Sequence, residues 1–323
     1  MREKGVPLIF IIVLLCGMCG VVGCSAPAIA PTWLVPDDVK FVASIQINKI
    51  LTDQDLIAAY DEALNKPLFM PGTFEDALKQ VEEEIGIDPR DFSEVLIFGD
   101  TESDDYFGAT IKGTFDPEAL IESVKEAIGE EMAHSTYKGY QIYTTTFEDE
   151  GVAICFLSDD TVALGLTNVV KVIIDVNQGD KERLSGRLYD TYNAFGDVWI
   201  KGAGEVPEGA IDDIPEVGIP IDLEVFEDLD VVGFAFNKAG ENLTLQIELC
   251  FSDAESAADV QDMISVIVIF LPIIMPDIPA EVADLLDWLS FSQSDSCITI
   301  TLETTTTDIE ELIESIVEEV SEH

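Results

Sequence analysis

One order of sequence patterns occurs twice in this chain, and it constrains the fold more than any other feature. In the first half, the strand-like runs Val95–Gly99 and Tyr106–Lys112 precede a helix start at Asp116. Asp before the first turn and Pro at its first position are common helix starts. The second half repeats this order between Val231 and Glu255. Alternating apolar and polar residues predict half-buried strands in both places.

Antiparallel strand runs interrupted by helices are typical of α+β proteins. We therefore expect an α+β fold in which helices cover antiparallel sheets, with an internal duplication of one α+β module. Two unrelated α+β halves are the alternative. The expected modules are residues 38–190 and 191–323.

The N-terminal segment has the composition of an export signal. Arg2 and Lys4 form a basic head, and residues 6–22 are almost wholly apolar. Small and branched residues then lead directly to Cys24. We expect a signal peptide over residues 1–23 and a proline-containing tether over residues 24–37.

The run Val21-Val22-Gly23-Cys24 resembles the lipobox of bacterial lipoproteins. The resemblance implies cleavage before Cys24 and lipid attachment to that residue. An uncleaved transmembrane anchor is one alternative, and an ordinary cleaved signal near Ala26 or Ala28 is another. All three interpretations place the folded body outside the cytoplasm, and the lipobox places it on a membrane surface.

The body resembles a loosely defined group of uncharacterised bacterial envelope proteins. The resemblance rests on Ile87-Asp88-Pro89 and Phe115-Asp116-Pro117, in the order strand, turn, hairpin and helix, and covers about residues 38–240. It implies an envelope location but no known activity, so it supplies no catalytic residues.

The charge of the chain limits its partners. There are 64 Asp and Glu residues against 16 Lys and Arg, a formal net charge of -48. Nucleic acid and anionic lipid surfaces should be repelled. Cations or basic proteins are compatible, and an envelope protein is one candidate partner. Because 47% of the residues are hydrophobic, we still expect a folded body.

Two cysteines lie in runs that predict strands. Cys250 ends one alternating run and Cys297 begins another. If these strands pair, a disulfide is geometrically possible. Two buried thiols are the alternative.

The sequence lacks the usual signatures of enzymes. His134 is the one internal histidine, and no serine-nucleophile elbow, phosphate loop or zinc-protease motif is present. We therefore expect no enzymatic activity and assign no catalytic residues.

An acidic loop between the first two strand runs offers carboxylates to a weak calcium ion. Its candidate ligands are Asp100, Glu102, Asp104 and Asp105. The spacing departs from that of an EF-hand, and a solvated hairpin tip is the alternative. No other cofactor is expected.

Three of the few cations are close together in sequence, at Lys181, Arg183 and Arg187. They could contact a phosphate or carboxylate of a partner. Neutralisation of nearby acids within the chain is the alternative.

The segment Met263–Met275 is apolar on every face if helical. Its thirteen residues are too short to span a bilayer, and Pro272 should break the helix. We expect either a central buried helix or the wall of an apolar pocket.

Three functions follow from these features, in order of preference. The first is a lipid-anchored envelope protein with a non-enzymatic binding or structural role. The second is a carrier of lipids or other hydrophobic ligands that uses an apolar pocket near Met263–Met275. The third, and most distant, is a hydrolase. The sequence predicts no oligomeric state.

Overall fold

The computed structural model describes residues 34–64, 73–85, 87–101, 106–114, 116–129, 131–147, 150–207, 209–210, 223–274, 286 and 288–309. The chain forms two compact units. Unit 1 contains the described residues up to Val39 and those from Ser44 to Leu184. Unit 2 contains Lys40–Ala43 and the described residues from Ser185 onward.

Unit 1 carries a sheet with the strand order β2-β3-β7-β6-β5-β4. Every pair in this order is antiparallel. The first strand of the chain, β1, has residues in both units. The elements in chain order are β1 (Phe41–Ile45), α1 (Ile47–Leu51), α2 (Gln54–Leu64), α3 (Phe74–Ile85), a 3-10 turn (Pro89–Asp91), β2 (Phe92–Gly99), β3 (Phe107–Gly113), α4 (Pro117–Ile128), β4 (Ala133–Tyr137), β5 (Tyr140–Phe147), β6 (Glu150–Ser158), β7 (Thr161–Leu166) and α5 (Thr167–Gln178).

Unit 2 carries a sheet with the strand order β8-β9-β10-β12-β11, again with every pair antiparallel. Its elements are α6 (Gly186–Ala194), β8 (Ile200–Glu205), a 3-10 turn (Leu223–Phe226), β9 (Leu229–Ala239), β10 (Asn242–Phe251), α7 (Ala254–Ile274), β11 (Leu289–Ser294) and β12 (Cys297–Thr305).

The expected α+β class, with helices packed on antiparallel sheets, is confirmed. Both units also share one connectivity. A hairpin (β2-β3 or β9-β10) is followed by a helix and later by a second hairpin, whose last strand pairs with the second strand of the first. Unit 1 adds β4 and β5 beside β6. Internal duplication stays a prediction, because shared connectivity describes the fold and not its origin.

The division between the units lies earlier than the expected boundary after residue 190, which would fall inside α6. Leu184 N donates to Val35 O at 2.8 Å, and Arg183 forms a β-bridge with Pro36. These bonds hold the chain in unit 1 up to Leu184. From Ser185 onward the chain enters α6, which packs on β8 and β9.

The helices that follow the first hairpin of each unit begin in the same way. Asp116 accepts hydrogen bonds from Glu118 N at 3.0 Å and Ala119 N at 3.2 Å. Asp253 accepts from Glu255 N at 2.8 Å and from Ser256 N at 3.0 Å. Both carboxylates satisfy N–H groups that the first turn of a helix leaves unpaired.

The core of unit 1 depends on small residues where α5 meets the sheet. A Cβ on Gly165 would lie 2.6 Å from the carbonyl oxygen of Phe107, and its φ of +146° also favours glycine. A Cβ on Gly108 would lie 2.7 Å from Val169 Cγ1. Gly165 therefore lets β7 lie against the backbone of β3, and Gly108 leaves room for Val169 of α5. The helix buries five aliphatic side chains: Val169, Val170, Ile173, Ile174 and Val176.

The opposite face of that sheet packs against α4. Ile121 forms a buried cluster with Met132, Ile154 and Val162. Val162 and Ala163 are neighbours on β7, so their side chains lie on opposite faces of the sheet. Val162 lies on the α4 side and Ala163 on the α5 side, so both faces of the sheet in unit 1 are covered.

Candidate functional site

The two faces of the sheet in unit 2 differ in chemistry. Cys250 and Glu248 lie on the face that α6 covers, where Thr191 contacts Cys250. The other face, which we call the apolar face, is built from three cross-strand rows set by the register. In the order β9, β10, β12, β11, the rows are Val232, Leu249, Ile298, Gln293; Phe234, Ile247, Ile300, Phe291; and Phe236, Leu245, Leu302, Leu289.

Among the described residues, those of α7 cover the apolar face at one end. There Phe251 and Ile298 form a buried cluster with Ala257 and Val260 of α7. Away from this cluster, three large side chains remain exposed: Phe234 at 42%, Leu245 at 40% and Ile247 at 37%. Phe234 and Ile247 are direct cross-strand partners, so the exposed groups form one continuous surface. A contiguous exposed apolar surface of this kind is typical of a binding site.

Gly202 of β8 helps to keep the Phe234 ring over the sheet. A Cβ on Gly202 would lie 2.6 Å from Phe234 Cε1 and 3.1 Å from the Cβ of Ala43. The ring therefore occupies the space that a side chain at residue 202 would need. With strands about 4.8 Å apart, the surface from β8 to β11 is about 19 Å wide.

Helix α7 forms the border of the apolar face and differs from the helix that the sequence predicted. The prediction that Pro272 breaks the helix is wrong, because α7 runs on to Ile274. Proline removes one N–H and crowds the preceding turn, but here it lies near the C-terminal end, where few backbone bonds remain to be lost. Nor is the helix fully buried: Met263 and Ile264 pack on the cluster, while Val266 is 54% exposed.

Within the described part of the chain, no helix has the length and hydropathy needed to cross a membrane.

The predicted cysteine pair lies in register on neighbouring strands. Cys250 of β10 faces Cys297 of β12, with Cα atoms 4.1 Å apart, and a disulfide of 2.10 Å joins them. Cys155, in unit 1, is a buried free thiol, and burial raises its pKa to about 11. A thiol with so high a pKa is unreactive at neutral pH.

Among the described residues, one group could hold a metal ion by geometry: Glu248, Cys250 and Cys297, with ligand atoms within 4.8 Å of one another. Both sulfurs are engaged in the disulfide, so neither offers a thiolate in this state.

The candidate calcium ligands Glu102, Asp104 and Asp105 lie outside the described residues. Of this set the structure describes Asp100, whose backbone N–H donates to the Tyr106 carbonyl at 3.0 Å and closes the base of the hairpin.

The three clustered cations are divided between the units, and two have acidic partners within their own unit. Lys181 Nζ lies 2.5 Å from Asp38 Oδ2. Arg187 pairs with Asp230 Oδ2 at 2.8 Å. The backbone of Arg183 bridges to Pro36. These contacts favour internal neutralisation, so the anion contact stays a prediction.

Asp38 also accepts from the Tyr106 hydroxyl at 2.8 Å. Burial opposes ionisation of this carboxyl, but the hydrogen bonds from Lys181 and Tyr106 outweigh it and lower its pKa. Burial, together with the hydrogen bond to Asp38, raises the pKa of Tyr106. The group is a fully paired structural cluster of unit 1.

His134 is exposed and lies on β4, which is the last strand in the strand order of unit 1. Cys24, the predicted lipid-attachment residue, lies outside the described residues.

Comparisons with solved structures give loose matches to crystal forms of a protein named TP0453. Crystal form III is 8% identical, with a TM-score of 0.46 over 89% of this chain and 99% of that one. Form I gives 11% identity and 0.43, over 89% and 98%. Form IV gives 10% and 0.44, over 88% and 97%. At these TM-scores the likeness supports no conclusion about the fold or the function of this chain.

No protein-family model matches the sequence, and comparison with curated proteins gives no match.

The sequence indicated α7 but missed the sheet surface beside it. The alternation of Leu243, Leu245, Ile247 and Leu249 showed that one face of β10 is apolar. Whether another element covers that face depends on contacts between distant parts of the chain, which alternation does not report.

Proposed function

We propose that this protein is a lipid-anchored, non-enzymatic envelope protein whose apolar face binds the acyl chains of a lipid. The observation that carries the proposal is the pair Phe234 and Ile247, which leaves two large apolar side chains exposed side by side in the middle of a sheet. Removing such surface from water contributes about 25 cal/mol per Å², so an apolar ligand gains affinity there.

The chemistry of the face favours a hydrocarbon ligand. Gln293 is the one polar residue in the three rows, and it lies at the end that α7 already covers. A peptide or sugar would bring hydrogen-bonding groups that this surface cannot satisfy, at a cost of about 1–3 kcal/mol for each group left unpaired. An acyl chain brings none.

The charge of the chain narrows the ligand further. With a net charge of -48, a second copy of the chain is repelled over long distances, and so is an anionic headgroup. We therefore expect a neutral or zwitterionic lipid that is bound one molecule at a time, rather than a dimer that buries the face. The predicted anchor at Cys24 would keep the protein next to such lipids.

Binding of a phosphatidylcholine with a fluorescent acyl chain tests the proposal. The full-length protein, extracted in mild detergent, should bind this lipid, and native mass spectrometry should find a co-extracted lipid on a single copy. Changing Leu245 and Ile247 together to Thr removes apolar surface but keeps residues that suit a strand. We expect this variant to weaken binding at least about tenfold.

The matched control is Phe107→Thr, which removes a side chain of similar exposure, 40%, from unit 1. It should bind the lipid as the parent does. Equal binding by both variants, a dimer in the native mass spectrum, or a co-purified protein in place of lipid would each overturn the assignment of an acyl ligand.

The anchor has its own test. Cells fed an alkyne fatty acid should label the parent protein and leave Cys24→Ser unlabelled. If both stay unlabelled, the lipid anchor is wrong even where the purified protein binds phosphatidylcholine, so the two parts of the proposal can fail separately.

A further inference from the structure

The disulfide of unit 2 has a carboxyl group as a neighbour. Glu248 lies two residues before Cys250 on β10, so both side chains are on the same face of the sheet. The carboxylate oxygen and the two sulfurs lie within 4.8 Å of one another. A disulfide that only crosslinks two strands has no need of an acid at this distance.

The two sulfurs differ in their surroundings. Cys250 is fully buried, and its Sγ contacts the Thr191 hydroxyl at 3.5 Å. Cys297 is half-buried. A thiol from solution therefore reaches Cys297 first, and exchange there would release the sulfur of Cys250 into the interior of the protein.

Arg187 adds a positive charge beside the pair. Its guanidinium donates to the carbonyl of Phe251, which follows Cys250. It also donates to Ser296 Oγ at 3.3 Å, and Ser296 precedes Cys297. A nearby cation stabilises a thiolate. The strand ends that hold both cysteines are bound to this guanidinium, which also pairs with Asp230 Oδ2 at 2.8 Å.

Burial shifts the Glu248 carboxyl toward the form that can donate a proton. Glu248 is half-buried, and burial raises its pKa, which favours the neutral carboxyl. A neutral carboxyl can give a proton to a departing thiolate, and transfer of this kind accelerates reactions about 10²–10⁴-fold.

We propose that Cys250 and Cys297 form a thiol–disulfide exchange site, in which a thiol attacks Cys297 and Glu248 protonates the sulfur that leaves. The attacking thiolate forms a new S–S bond with Cys297 Sγ. The Cys250–Cys297 bond breaks, its electron pair stays on Cys250 Sγ, and the proton of Glu248 neutralises that charge. A second thiol then attacks the mixed disulfide and releases Cys297. In sum, two thiols are oxidised to one disulfide, and the protein disulfide is reduced to two thiols. This activity is independent of lipid binding.

Brief exposure of the full-length protein to reduced glutathione tests the site. Free thiols are trapped with N-ethylmaleimide, and peptides are mapped by mass spectrometry. We expect glutathione on Cys297 and maleimide on Cys250. Glu248→Gln should slow the reaction at least about tenfold, because its amide cannot donate the proton. Glu248→Asp should recover part of the rate.

The control is Glu303→Gln, since Glu303 lies on the same face of β12, six residues from Cys297, and undergoes the same change from carboxyl to amide. It should react at the parental rate, and far-UV circular dichroism should be unchanged in all variants. Glutathione on Cys250, an equal rate in Glu248→Gln and the parent, or no reaction of the folded parent would each overturn the proposal and leave a structural crosslink.

Discussion

Units 1 and 2 share the order hairpin, helix, hairpin, yet they cover their sheets differently. In unit 1, α4 and α5 pack on opposite faces, and α5 buries five aliphatic side chains. In unit 2, α7 covers one end of the apolar face and leaves Phe234, Leu245 and Ile247 exposed. Four of the six large hydrophobic side chains found exposed among the described residues belong to unit 2. The same connectivity thus supports a closed core in one unit and an open surface in the other.

The residues that face the helices also differ between the units. On the face of unit 1 that α5 covers, Gly108 leaves room for the Val169 side chain of the helix. On the apolar face of unit 2, the three rows carry Phe, Ile, Leu or Val at every position except Gln293. Coverage, rather than the order of strands, decides which unit leaves large apolar side chains exposed.

The largest expected effect compares one isoleucine from each unit. Ile173 is fully buried in α5, whereas Ile247 is exposed on the apolar face. Ile173→Ala leaves a cavity and should cost about 2–5 kcal/mol of unfolding free energy. Ile247→Ala should cost less than half as much. Urea unfolding, combined with hydrogen exchange resolved by peptide, measures both; equal losses would show that the face of unit 2 is closed in solution.

The second prediction concerns the crosslink that unit 2 has and unit 1 lacks among its described residues. Cys250 and Cys297 are 47 residues apart. Closing a loop of that length restricts the unfolded chain and typically contributes about 2–4 kcal/mol. The double change to Ala should accelerate exchange in β10 and β12 and leave α5 unaffected. Faster exchange throughout α5 would mean that the two units unfold together.

The smallest expected effect concerns the N-cap residues of the two helices that begin in the same way. Asp116→Ala should cost about 1 kcal/mol through loss of the N-cap. Asp253→Ala should weaken the start of α7 in the same direction. The backbone N–H groups of Ser256 and Glu255 hold the pKa of Asp253 below its usual value. Its contribution is therefore complete above the unfolded-state pKa near 3.9 and is lost as the pH falls through the lower folded-state value.

Hydrogen exchange in the first turn of α7, compared between pH 7 and pH 3, measures this loss of the Asp253 contribution. Asp253→Asn supplies the control, because it keeps the capping oxygen without a titrating proton. The difference between the two pH values should shrink in that variant. If it persists, another group governs the acid sensitivity of the helix start.

The sequence predicted the features of the fold that are encoded locally. The strands and hairpins follow from alternation over a few residues, and Asp116-Pro117 marks a helix start by its own chemistry. Each of these signals lies within one short stretch of chain. The repeated pattern predicted two modules with a boundary after residue 190, whereas the chain divides after Leu184.

What the sequence did not provide depends on distant contacts. Alternation cannot show that β3 pairs with β7, or that the chain stays with unit 1 up to Leu184 through its bond to Val35. Nor could it place Glu248 beside the disulfide, because the pairing of Cys250 with Cys297 depends on the register between β10 and β12. The site residues were therefore found in the structure, while only the cysteines were named from the sequence.

The geometry at Gly165 has a consequence for evolution. Its backbone angle and the nearby carbonyl of Phe107 both exclude a side chain, so drift cannot replace this residue without separating β7 from β3. Related sequences should keep glycine here while the aliphatic residues around it exchange freely. That single position would then serve as a landmark for aligning remote members of whatever lineage this chain belongs to.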